Sequence, residues 1–157
     1  MLIRRLVAPV FLVAVSTAVA AQTKPDFSGE WVLDRPASTL SPGAGGIDSG
    51  VVRIEHREPV FRYNARLVAQ GKPIEYAFEL TSDGKEVASP PQAPPAVSSL
   101  RWDGDALVYT GRLGRGGAEM TLSFRYELVD GGRRLRAGEQ IRGAGRDQDN
   151  VWLFDRR

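Results

Sequence analysis

Residues 120–128 read MTLSFRYEL, and their alternation decides the fold. Met120, Leu122, Phe124, Tyr126 and Leu128 share one phase, while Thr121, Ser123, Arg125 and Glu127 occupy the other. A period of two is that of a strand; a helix would repeat its apolar positions every three or four residues. One face is oily and the other polar, so the segment belongs to a sheet with one buried and one wet side.

The same period extends outward along the chain. Ile74, Tyr76, Phe78 and Leu80 alternate with Glu75, Ala77 and Glu79, and Phe61, Tyr63, Ala65 and Leu67 alternate with Arg62, Asn64 and Arg66. Val52, Ile54 and His56 oppose Arg53 and Glu55. Further strands are predicted over 97–102, 106–113, 133–142 and 150–155. Asp83–Gly84, Asp103–Gly104, Gly116–Gly117 and Asp130–Gly131–Gly132 read as hairpin turns, because glycine supplies the positive φ such turns need. No segment is long and periodic enough for a substantial helix. About eight to ten strands joined up-and-down would leave two open edges, and closure into a barrel removes them. The expected fold is therefore all-β, a single antiparallel up-and-down β-barrel.

Two stretches interrupt the meander. Residues 35–50 are rich in Gly, Ser and Pro and read as one long loop or lid. Residues 89–95 contain four prolines, cannot pair as a central strand, and read as an exposed crossing.

Residues 1–20 have the parts of a cleaved export signal: Arg4 and Arg5, an apolar run over 6–15, and Ala18–Val19–Ala20 before Ala21. The run is short for a membrane span. The expectation is a periplasmic or secreted bacterial protein whose barrel domain spans 21–157. The chain has 21 Lys and Arg against 19 Asp and Glu. Without Arg4 and Arg5 the remainder is formally neutral, which gives no electrostatic footprint for nucleic acid. With no cysteine, an exported domain of this size must rely on its apolar core or a closed sheet.

The opening Phe27–Ser28–Gly29–Glu30–Trp31 resembles the Gly-x-Trp start shared by lipocalins and fatty-acid-binding proteins, the calycin barrels. Glu127–Leu128–Val129–Asp130–Gly131 resembles a hairpin near the end of fatty-acid-binding proteins, and the chain looks like small exported bacterial proteins that open DFSGxW. The resemblance implies a barrel with Trp31 packed across its closed base. Fatty-acid-binding proteins also carry an Arg-x-Tyr pair on the last strand that grips a carboxylate. The matching positions here are Trp152, Leu153 and Phe154, so that grip is absent. Those proteins insert a helical pair after the first strand, where this chain has its Gly-rich 35–50 stretch.

Few residues offer reactive chemistry. There is one histidine, His56, read as half-buried or at an edge, with haem ligation or general-base work as alternatives. One histidine and no cysteine argue against zinc. Asp147 and Asp149 could hold calcium, but their loop lacks the full spacing of a calcium site. Arg62, Arg66, Arg125, Arg134 and Arg136 could form a basic stripe blunted by interspersed glutamates. Tyr63, Tyr76, Tyr109 and Tyr126 all fall on the apolar phase, where each hydroxyl needs a partner. Glu139 is in phase with Leu135, Ala137 and Ile141. It is read as an inward carboxylate for ligand recognition or acid–base work, unless an arginine pairs with it or a bulge at Gly138 turns it out.

These readings converge on non-catalytic binding of a small hydrophobic molecule by a monomeric barrel, with no cofactor and no metal. The walls would be Phe61, Ile74, Phe78, Leu122, Phe124, Trp152 and Phe154. The polar contacts would be Tyr63, Tyr76, Tyr109, Tyr126 and Glu139. The alternatives are an envelope interaction module with a filled core, and an enzyme using Glu139 or His56 as acid or base.

Overall fold

The computed structural model describes residues 23–115 and 118–157. The export signal expected over 1–20 and the turn expected at Gly116–Gly117 lie outside the described residues.

Ten strands follow in chain order: β1 (Gly29–Leu33), β2 (Ile47–Arg57), β3 (Val60–Ala69), β4 (Lys72–Thr81), β5 (Val87–Ala88), β6 (Ala96–Asp103), β7 (Ala106–Arg115), β8 (Ala118–Val129), β9 (Arg134–Gly143) and β10 (Gln148–Arg156). All belong to one antiparallel sheet in the order β4-β3-β2-β1-β10-β9-β8-β7-β6-β5. The chain therefore folds as a nearly closed up-and-down barrel, and no α-helix occurs among the described residues. Closure comes from the chain that leaves β4. Asp83 bridges Arg101, the Gly84 N–H donates to Leu100, and β5 pairs with β6.

That closure corrects one expectation. Asp83–Gly84 is not a hairpin turn; its residues carry the sheet across from β4 to β6. The unforeseen two-residue turn is Gln70–Gly71, between the paired Ala69 and Lys72, with φ of 50° and 73°. Two successive positive φ values suit the twist of a tight hairpin. Residues 89–95 are a mostly exposed hairpin loop that turns β5 back onto β6.

The 35–50 loop is also redrawn. Residues 47–50 already belong to β2. Thr39 bridges Val151, and the Ser41 N–H donates to Asn150 Oδ1 at 2.6 Å. The segment thus lies along the edge of β10 beyond the short β1, with Leu40 and Ala44 packed against the core.

Inward residues line up in rows across the sheet. Trp31, Val52, Ala65 and Tyr76 form one row, and Ile54, Tyr63 and Phe78 the next. On the far wall, Asn150, Glu139, Phe124, Tyr109 and Leu100 share a row. The base is sealed by Phe27, Trp31, Phe61, Leu107 and Leu135, all fully buried. Trp31 donates from Nε1 to the Phe27 carbonyl at 3.1 Å, and the Arg156 guanidinium lies over its ring at 4.3 Å. A buried aromatic of this size contributes a large share of core burial.

His56 completes the base and is more buried than expected, with 3% of its side chain exposed. Its Nδ1 accepts the Phe27 N–H at 3.3 Å, and Nε2 lies 2.8 Å from Glu58 Oε1. With Nδ1 accepting, Nε2 is the nitrogen left to donate to Glu58.

The outer face is lined with ion pairs. Arg62 meets Glu55 and Glu79, Arg66 meets Glu75, and Arg125 meets Asp103 and Glu127. Arg136 joins Glu127, and Arg134 bonds Asp34 and Asp155. The expected basic stripe is thus interleaved with acids and neutralised.

Candidate functional site

The barrel end opposite Trp31 and Phe27 is built from the last inward rows. Gly50, Leu67 and Ile74 form one side, and Gln148, Ile141, Leu122, Gly111 and Ser98 the other. Residues of this end and the row next to it stay open to water: Ile74 is 42% exposed and Tyr76 41%. The cause is the β3–β4 hairpin, whose β4 half over 72–77 is exposed on both faces. Ile74 is therefore a rim residue and not the buried wall expected from strand phase.

Below the rim, the sequence-predicted residues converge. Tyr63 stacks against Phe78 at 5.1 Å and against Tyr76 at 5.8 Å between ring centroids. Phe124 lies parallel to Tyr126 at 5.7 Å, and Tyr126 meets Tyr63 at 5.7 Å. Phe78 contacts Tyr109 at 5.0 Å, and Tyr109 shares a hydrogen bond of 3.0 Å with Ser98 Oγ. Trp152 and Phe154 are buried on β10. Phe61 and Phe78 stack at 6.1 Å, continuing the aromatic column to the base.

These rings pack on one another and do not enclose a chamber. The cavity bounded by Tyr63, Leu67, Tyr76, Phe124, Ala137, Trp152 and Phe154 holds about 10 Å³, which is room for about one water molecule. The larger hollows lie against strand faces that carry charged side chains, one beside Glu30, Arg53, Glu55 and Arg66, another beside Arg101, Arg125 and Arg136 that also touches Phe124, Glu139 and Asn150.

Glu139 points inward and is 8% exposed. The β8–β9 and β9–β10 registers run through Gly138 without a shift, so no bulge turns it out. Its Oε2 accepts the Asn150 amide at 2.7 Å and the Trp152 indole N–H at 2.8 Å. Among the described residues no Arg or Lys comes within ion-pairing distance of it. Asn150 is the residue that sequence reasoning missed. It is 2% exposed and holds the site from two sides, accepting from Ser41 and donating to Glu139. The signal was available, since Asn150 shares the phase of Trp152 and Phe154.

Burial holds the Tyr63 and Tyr126 hydroxyls well above the ordinary phenol value, with neighbouring tyrosines and Glu139 pushing the same way. The Tyr76 hydroxyl is also raised, by burial first, against a lowering hydrogen bond from Tyr63. All three phenols stay neutral near pH 7. No residue here is poised as a nucleophile. His56 has both ring nitrogens engaged far from Glu139. Asp147 accepts the Gly143 N–H and Asp149 pairs with Arg142. No cluster of three metal-ligating side chains occurs among the described residues.

No family model matches this chain, and no curated protein matches it. Solved structures do. A secretory abundant heat soluble (SAHS) protein from Ramazzottius varieornatus superposes with TM-score 0.60 at 11% identity, covering 83% of this chain and 94% of that one. Human cRBP IV gives 0.54 at 16% identity, over 85% and 99% of the two chains. The REP1-NXSQ fatty acid transporter gives 0.52 at 14% identity, over 83% and 96%. At such identities the likeness is one of fold: a lipocalin-like, fatty-acid-binding-protein-like calycin barrel.

Proposed function

We propose that this protein binds a small hydrophobic molecule, without catalysis, at the end of its barrel opposite Trp31 and Phe27. The observation that carries the reading is the half-exposed pair Ile74 and Tyr76, leading inward along aromatic walls to the buried polar group formed by Glu139, Asn150 and Trp152. Apolar walls with a few convergent polar groups are the usual make-up of a small-molecule site, and exposed apolar surface beside one is a mark of such sites. A barrel of the same architecture is described as a fatty acid transporter, which supports the reading by analogy of fold alone. A guest must part the rings that now touch, and the lightly held β3–β4 hairpin is the wall that would yield. The paired charges of the outer face favour a monomer, and the character of residues 1–20 favours export.

A second reading rests on the small interior volume. A barrel already filled by its own side chains suits an interaction module that presents its outer surface or loops to a partner. Native mass spectrometry of gently purified protein, with displacement of a fluorescent lipid, separates the two. A bound species or saturable displacement is expected. Absence of both at every concentration would exclude the carrier reading and leave the filled-core module.

A further inference from the structure

We infer that the ligand carries a protonated amine or other cationic nitrogen on an apolar body, and that Glu139 is the residue that recognises it. This deepens the reading above and rests on it. A carboxylate more than nine-tenths buried ordinarily has a basic partner, yet Glu139 has two neutral donors, the Asn150 amide and the Trp152 indole. Both bind Oε2. No described side chain donates to Oε1, and no fully enclosed polar atom lacks a partner. Oε1 is therefore the oxygen left to accept a further hydrogen bond.

The surroundings have the same polarity. Tyr63, Tyr76, Phe124 and Trp152 border the narrow cavity, and Trp152 is also a donor to Glu139; aromatic faces carry negative charge density that attracts cations. The phenol hydroxyls can accept as well as donate, so they add acceptors beside the carboxylate. An anionic head would meet a like charge with no arginine to offset it, and like charges brought together at a buried site are strongly disfavoured. The interior is therefore arranged for the opposite charge.

Three twelve-carbon probes that differ only in their head group test this: dodecylammonium, dodecanol and dodecanoate, each titrated calorimetrically below its critical micelle concentration at neutral pH. Dodecylammonium is expected to bind at least about tenfold more tightly than dodecanoate, with dodecanol between them. Glu139→Gln keeps the shape and an acceptor for both neutral donors while removing the charge, and is expected to bring the ammonium and dodecanoate affinities within about threefold. If dodecanol binds but dodecylammonium is no better than dodecanoate, the cation inference fails and the carrier reading survives. If no probe binds, both fail. A preference that persists in Glu139→Gln overturns the role of Glu139, and the ranking in the unsubstituted protein decides the head-group question even if the variant does not fold.

Discussion

At Asn150 one amide performs two tasks, and the consequences of changing it can be separated. Asn150→Ala removes the donor to Glu139 and the acceptor for the Ser41 N–H. Leaving buried polar groups unsatisfied costs about 1–3 kcal/mol each, so a loss of at least ~2 kcal/mol is expected in chemical denaturation. Asn150→Asp keeps the acceptor for Ser41 but sets a second carboxylate against Glu139, and should lose more at pH 7. A neutral result for both would mean that Glu139 is not held as described. Most of the single residues that shape this site were legible from phase alone: Tyr63, Phe124, Tyr126, Glu139, Trp152 and Phe154 all point where a period of two places them. The inward phase of Asn150 was equally legible, but its partner Ser41 was not, because that hydrogen bond spans more than a hundred residues of sequence and nothing in local alternation announces it.

Among the elements, the turn between β2 and β3 joins three strand ends. Glu58 receives His56 Nε2 at the end of β2, Ser82 Oγ just after β4 and Trp102 Nε1 on β6. Burial alone would raise its carboxyl, but these three hydrogen bonds outweigh burial and hold it below the ordinary value of 4.5. A group whose pKa is depressed by folding contributes stability above its unfolded pKa and loses it as pH falls through the folded one. The stability difference between the protein and Glu58→Gln should therefore be full at pH 6 and shrink below about pH 4.5. Acid titration of both proteins followed by tryptophan fluorescence checks this, and parallel curves would refute it. The β3–β4 hairpin shows the opposite character. Residues 72–77 of β4 are exposed on both faces, so their amides should exchange with solvent well before those of β8 and β9. Hydrogen exchange resolved by peptide measures the order directly. Strand phase misjudged Ile74 and Tyr76 because alternation reports which side faces inward and not how far the neighbouring wall extends. The 47–50 stretch was misjudged because its Gly and Ser content hid a strand whose pairing with β3 is decided from outside the segment.

For the whole molecule, the alternation that begins at residue 120 was enough to give an up-and-down barrel, because one oily face repeated over many strands has few ways to leave water. The volume inside was not legible. It depends on how rings from β3, β4, β7 and β8 interlock, which no spacing in the sequence encodes. That interlocking carries a kinetic consequence. On the proposed carrier reading, Tyr63, Phe78, Tyr109, Phe124 and Tyr126 occupy the space that a guest would need, and the protein would act as its own competitive occupant. Uptake then requires a prior unimolecular opening, and the population already open limits the apparent affinity. Stopped-flow measurements with a binding probe should give an observed rate that levels off with concentration, at a ceiling set by the protein and identical for unrelated probes. A rate that climbs linearly to the solubility limit would point instead to a guest resting on the rim. A barrel that guards its interior in this way would release its cargo as the rings close again, so that emptying needs no second partner to drive it.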